Sequence, residues 1–344
     1  MAAARCSCPG TWLLLFISLL AHPHHVAGLL DPFSLGIAAA SAAALTGYLS
    51  NPRFYCGRLV ECCEEDKSLN ITALETDLSN KLFGQHLAHD VILRALTGFM
   101  NTENPKKPLT LSLHGWTGTG KNFASKIIVQ NIYELGMQSK FVHLFVSSLH
   151  FPHDGLISLY KDQLQSWIRG NVSRCARSIF IFDEMDKLHS GLIDAIKPFL
   201  DYYEDIDGVS YRKAVFIFLS NAGGDLINKQ VLEFWRTGKK REDLQLSHLE
   251  SVLSIGLFNN HNSGFWHSSL IDKNLIDFFI PFLPLELRHV KKCILAELRQ
   301  RGLREDEELA SRVANEEMIY FPKDSRLFSD KGCKTVSAKL NLHL

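Results

Sequence analysis

Residues 115–122 read Gly115-Trp116-Thr117-Gly118-Thr119-Gly120-Lys121-Asn122. Glycines at this spacing let the backbone curl so that its N–H groups face an anion, and a helix starting at the lysine adds the positive end of its dipole. The lysine of such a loop reaches the β- and γ-phosphates of a nucleotide. Asn122 stands where a Ser or Thr hydroxyl ordinarily ligates Mg²⁺; its amide oxygen can coordinate the ion or hold a water, less compactly than a hydroxyl. A second group follows in Ile179-Phe180-Ile181-Phe182-Asp183-Glu184, four apolar residues ending in two acids. Acids at the C-terminal end of a buried strand sit where open α/β sheets place ligand chemistry. Asp183 is suited to hold Mg²⁺, directly or through water, and Glu184 to orient and deprotonate an attacking water. Asn221, in Leu219-Ser220-Asn221-Ala222-Gly223, can hydrogen-bond the γ-phosphate or that water. Together these groups predict a site for ATP and Mg²⁺.

Such groups need a sheet to hold them. Leu109-Thr110-Leu111-Ser112-Leu113 predicts a strand running into the glycine-rich turn, and residues 121–135 a helix. Further strands are predicted at 141–146, 178–182 and 214–219, with helices at 160–169 and 191–203, the latter broken or kinked by Pro198. Asp207-Gly208 predicts a tight turn. Apolar residues from Leu74 to Phe99 recur at helical spacing. Alternation of this kind implies a parallel sheet flanked by helices, an α/β fold, with the two acid- and phosphate-binding motifs on adjacent strands. After Pro281 and Pro284 the strand signals stop, and the rest reads as charged helices. The expected organisation is a leader at 1–28, an apolar membrane-associating segment and linker at 29–66, a large α/β domain at 67–282 and a small helical domain at 283–344.

Lys plus Arg and Asp plus Glu each number 37, so the formal net charge is zero, and no basic run interleaves with aromatics. Nucleic acid is therefore not an expected partner. Arg5, the apolar run 12–21 and the small residues Ala27 and Gly28 form the layout of a secretory signal peptide. The uncharged stretch 32–52 is of borderline length for spanning a bilayer, and its modest hydrophobicity suits a helix or hairpin lying in one leaflet; a weak transmembrane helix is the alternative. Asn70-Ile71-Thr72 and Asn171-Val172-Ser173 are glycosylation sequons consistent with a lumenal chain. Cys56, Cys62, Cys63, Cys175, Cys293 and Cys333 follow the leader, with no C-x-x-C pair to suggest zinc. In an oxidising compartment they predict disulfides of unspecified connectivity.

The phosphate loop with Asn122, Phe180-Ile181-Phe182-Asp183-Glu184-Met185-Asp186-Lys187, Asn262-Ser263-Gly264-Phe265-Trp266-His267 and Phe328-Ser329-Asp330-Lys331-Gly332-Cys333-Lys334 resemble the torsin family of AAA+ ATPases, nearly throughout the chain from the apolar segment onward. That resemblance implies an ATPase of the endoplasmic reticulum and nuclear-envelope lumen, related to the Clp-type unfoldases, that remodels protein complexes. It implies that Asn221 is sensor 1, that Lys334 is sensor 2 reaching back to the nucleotide, and that Cys333 and Cys293 form a redox-sensitive disulfide. No arginine lies between Arg241 and Arg288, the interval in which ring-forming AAA+ proteins keep an arginine finger. By the resemblance, the lumenal domains of membrane-anchored activators, lamina-associated polypeptide and its homologue in the endoplasmic reticulum, supply one, and a homo-oligomer hydrolyses ATP poorly. Gly155-Leu156-Ile157-Ser158 stands where Clp unfoldases carry an aromatic substrate-gripping loop, which puts threading in doubt. The alternative to a remodelling enzyme is an ATP-dependent switch or scaffold with little turnover.

Overall fold

The phenylalanines and the branched aliphatics of the strands alternate, and this alternation separates two cores. The computed structural model describes residues 69–259 and 269–344. The leader, the apolar segment, Cys56, Cys62, Cys63 and the block Asn262 to His267 lie outside the described residues. Strands β1 (Leu109–Gly115), β2 (Val142–Val146), β3 (Ile179–Asp183), β4 (Val215–Ser220) and β5 (Phe278–Phe282) form one sheet in the order β2-β3-β4-β1-β5. Every pairing is parallel. Successive residues of a strand point to opposite faces. Phe180, Phe182, Phe216 and Phe218 therefore share one face, with Phe180 and Phe216 stacked at 5.0 Å. Ile179, Ile181, Val215, Ile217 and Leu219 share the other.

Helices α1 (Ile71–Lys81), α2 (His86–Met100) and α3 (Lys121–Ile132) cover the aliphatic face through Leu74, Ile92 and Ile128. Helices α4 (Ile157–Arg174), α5 (Ser190–Ile196), α6 (Gly224–Arg236) and α7 (Glu250–Phe258) cover the aromatic face through Leu164, Leu192, Ile227 and Leu253. Covered on both sides, β3 and β4 can be apolar throughout. The C-terminal elements α8 (Leu287–Gln300), α9 (Glu307–Glu316) and α10 (Val336–Leu340) gather around a third cluster that includes Val290, Ile294, Val313 and Leu340.

Several boundaries follow from local chemistry. Pro198 ends the regular helix α5, and residues Lys197–Leu200 continue as a 3₁₀ turn. Asp207 and Gly208 have φ of 51° and 77°, the left-handed pair of a two-residue hairpin turn between Ile206 and Val209. Helix α4 extends beyond the expected 160–169, with Tyr160, Leu164, Ile168 and Val172 forming its buried face.

Three sequence expectations need correction. The four expected strands leave out β5, which contains Pro281, tolerated because β5 is the sheet edge. A short antiparallel pair, β6 (Tyr320–Phe321) and β7 (Phe328–Ser329), interrupts the C-terminal helices. Finally, the strands carrying the phosphate loop and the acid pair are not neighbours. β4 lies between β1 and β3, so its C-terminal Asn221 falls between the two motifs.

Candidate functional site

At the C-terminal ends of β1, β4 and β3 lies a cavity of about 770 Å³. It brings together Thr117, Gly118, Thr119, Gly120, Lys121 and Asn122 with Asp183, Glu184, Asn221 and Lys334. Of the residues predicted for the site, Gly115 and Trp116 do not line it. Gly115 is the last residue of β1, and the Trp116 indole turns away and donates from Nε1 to the Asp330 carbonyl at 2.7 Å.

Lys121, the first residue of α3, is 6% exposed. Its Nζ donates to the carbonyls of Gly115 (2.6 Å) and Trp116 (2.9 Å) and to Asn221 Oδ1 (2.9 Å). Among the described residues no carboxylate is within ion-pair distance of it. Burial lowers its pKa from 10.5 to about 8, opposed by the charges of Asp186 and Asp183. A buried ammonium held only by neutral acceptors is poised for an anion.

The magnesium candidates meet. Asn122 Nδ2 donates to Asp183 Oδ2 at 2.5 Å, and Asp183 Oδ1 accepts the Glu184 N–H at 2.8 Å. A carboxylate and an amide oxygen are hard donors of the kind Mg²⁺ takes, with waters completing the shell. Glu184 has φ of 57°, an uncommon backbone for a non-glycine residue. Its carboxylate accepts the Lys187 ammonium at 2.6 Å and also hydrogen bonds from the Ser148 hydroxyl and N–H. The Lys187 and Ser148 hydrogen bonds hold its pKa below the usual range, so it is ionised at neutral pH.

Asn221 is held from behind. Asp186 Oδ1 accepts its N–H at 3.0 Å and the Ser220 hydroxyl at 3.1 Å. His114, fully buried on β1, donates from Nδ1 to the Ala222 carbonyl at 3.1 Å and accepts the Ser112 hydroxyl at Nε2 (2.7 Å). Burial pushes the His114 pKa down to about 4, so one neutral tautomer persists. The sequence reading missed His114, Ser148 and Asp186 as supporting groups. His114 and Asp186 lie beside recognised residues in the sequence, whereas nothing local marks Ser148.

The opposite wall comes from the C-terminal helices. Ala296, Glu297 and Gln300 of α8 and Ser337 of α10 line the cavity, as do Leu82 and Phe83 after α1. None of these carries a sequence signal. The Cys333 N–H donates to the Gly118 carbonyl at 3.0 Å. The contact is so close that a Cβ on Gly118 (φ 74°) would lie 1.9 Å from the Lys331 carbonyl, and one on Gly332 (φ 51°) 2.2 Å from that of Gly118. Cys293 and Cys333 are joined as a disulfide with Cα atoms 6.2 Å apart. Lys334 is thereby placed in the cavity beside the phosphate loop, near enough for its charge to lower the Lys121 pKa. Among the described residues no arginine lines the cavity.

The sequons lie away from it. Asn70 is the exposed N-cap of α1, and Asn171 lies on α4 with Nδ2 bonded to the Trp167 carbonyl at 2.8 Å. Leu156 sits in a single 3₁₀ turn before α4, 42% exposed.

Known proteins resemble this chain in sequence and in fold. A family model described as Torsin matches residues 57–182, and one described as the Torsin-1A C-terminal domain matches residues 285–343. Among solved structures, Hsp104 in its closed state with ATPγS and FITC casein is 20% identical with a TM-score of 0.55, over 89% of this chain and 49% of that one. The S. cerevisiae Hsp104–ADP complex is 19% identical with a TM-score of 0.55, over 90% and 53%. This chain thus spans about half the length of those Hsp104 chains, and the likeness shows an AAA+ fold.

Proposed function

The chain belongs to the torsin family of AAA+ ATPases, and we propose that it binds ATP with Mg²⁺, hydrolyses it slowly alone, and remodels lumenal protein complexes when a partner completes the site. Within the family we place it beside torsin A and torsin B, nearest the latter. The observation that carries the ATP reading is Lys121, a charge buried among neutral acceptors in a cavity edged by glycine backbone. A nucleotide's phosphates supply the anion it lacks. Bound Mg²⁺, held by Asp183 and Asn122, would neutralise phosphate charge. Glu184 takes the proton of the attacking water once it leaves Ser148 and Lys187. Asn221 holds that water or the γ-phosphate, and Lys334 contributes a second cation from the C-terminal side.

The absence of arginine from the described lining favours activation in trans, by the lumenal domains of lamina-associated polypeptide or its homologue in the endoplasmic reticulum. An arginine supplied this way is worth ~10³-fold or more in rate. The same observation supports a second reading, a switch or scaffold whose ATP-bound form is what matters; homo-oligomers fit either. We further propose residence in the lumen of the endoplasmic reticulum and nuclear envelope, with glycans on Asn70 and Asn171 and attachment to the membrane surface through the apolar segment. Leu156 in place of an aromatic argues against processive threading.

Two variants separate the roles. Lys121→Ala removes ground-state phosphate binding, whereas Glu184→Gln removes only the step involving water. K121A is expected to bind ATP at least ~100-fold more weakly, and E184Q to bind it normally while turnover disappears even with the activator's lumenal domain present. Equal loss of affinity in both variants would refute the assignment. Steady-state turnover of the wild type that the activator domain leaves unchanged would favour the switch.

A further inference from the structure

Four segments distant in sequence meet behind the phosphate loop at two buried polar side chains. Gln85, between α1 and α2, is 2% exposed. Its Nε2 donates to the Thr119 carbonyl (3.0 Å) and the Leu283 carbonyl (2.8 Å), and its Oε1 accepts the Leu283 N–H (2.7 Å). Arg241, after α6, is 7% exposed. It donates from Nη1 to the Pro284 carbonyl and from Nη2 to the Gly84 carbonyl, both at 2.6 Å, with Glu286 at 3.5 Å. Glu286 caps α8 and also accepts Arg288, which in turn reaches Glu242. Residues 283, 284 and 286 are thus each held by a side chain from elsewhere in the chain, at the crossing from β5 to α8.

That crossing is where the chain leaves the sheet for the C-terminal elements, whose turn before α10 holds Lys334. Thr119 belongs to the phosphate loop, so Gln85 ties the loop and the crossing to one amide. Arg241 uses both arms of its fork on carbonyls, a geometry that lysine cannot reproduce. With both arms engaged and the guanidinium buried, Arg241 is also unavailable as an arginine finger for a neighbouring molecule.

We propose that Gln85 and Arg241 are positioning residues, a clasp that holds residues 283–286 against the phosphate loop and so aims Lys334 at the nucleotide's phosphates. The proposal rests on the ATP reading above. If the clasp acts through Lys334, removing it once Lys334 is gone should lose little more, because residues acting as a unit are non-additive.

The test measures affinity for a fluorescent non-hydrolysable ATP analogue with the oxidised full chain. The variants are R241M, Q85M, K334A and the doubles R241M/K334A and Q85M/K334A. Each single change is expected to weaken binding about tenfold, and each double to bind within about twofold of K334A alone. Additive losses of about a hundredfold in the doubles would overturn the proposal and leave Gln85 and Arg241 as stabilisers of the fold. R241M strands Glu286 and two carbonyls; should it not fold, the Q85M pair, which removes no charge, decides alone. A K121A control that binds the analogue like wild type would overturn the ATP reading instead.

Discussion

Lys121 carries its charge into a place with little water, and its titration follows from that. Free, its pKa is about 8 against an ordinary 10.5, with burial the main cause. Phosphate binds the charged form, so bound nucleotide raises that pKa. The sign is then set: affinity is full below pH 8 and falls as pH rises above it, with a proton taken up on binding. From pH 7 to pH 9 the analogue is expected to bind about tenfold more weakly. Titration calorimetry in buffers of different ionisation heat would register the proton uptake; affinity that is flat over this range would contradict the assignment. Glu184 behaves oppositely, since Lys187 and Ser148 stabilise its charged form and keep it ionised at neutral pH.

Helix α1 shows how an element ties a surface feature to the site. Asn70 caps it, with Oδ1 accepting the Ala73 N–H at 3.0 Å, and its last turn leads to Leu82 and Phe83 in the cavity wall. The cap uses the side-chain oxygen, leaving Nδ2 for a glycan. Asn70→Gln removes cap and glycan together, whereas Thr72→Ala removes only the sequon. In secretory cells both variants are expected to lose one glycosidase-sensitive mobility shift. Only N70Q should also lose about 1 kcal/mol in denaturant unfolding. Equal stability of the two would mean that the cap contributes nothing, and no shift in the wild type would argue against lumenal residence.

Across the whole molecule, the Cys293–Cys333 bond joins α8 to the segment that hydrogen-bonds Gly118. It closes a span of 40 residues, a constraint on the unfolded chain worth up to ~4 kcal/mol. Reduction is expected to loosen the Cys333–Gly118 contact and shift nucleotide affinity, while Cys333→Ser is insensitive. Affinity measured across a glutathione redox series checks this. Identical responses of wild type and C333S would rule out redox control through this bond.

The phosphate loop, the acid pair and Asn221 could be read from the chain because each is contiguous: a glycine pattern, an acid after an apolar run, a polar residue after a strand. Phosphate chemistry demands those residue types within a few positions, so spacing alone betrays them. The Phe and Ile alternation likewise marks β3 and β4, because burial on both faces leaves no polar position. What the tertiary structure decided are the relations between pieces. β4 enters between β1 and β3, β5 forms despite Pro281 because an edge strand tolerates a missing N–H, and His114, Gln85 and Arg241 find carbonyls up to 198 positions away. A buried histidine, glutamine or arginine has no local pattern, since its partner is a backbone group that every residue possesses. Only the packed sheet determines which carbonyl that is.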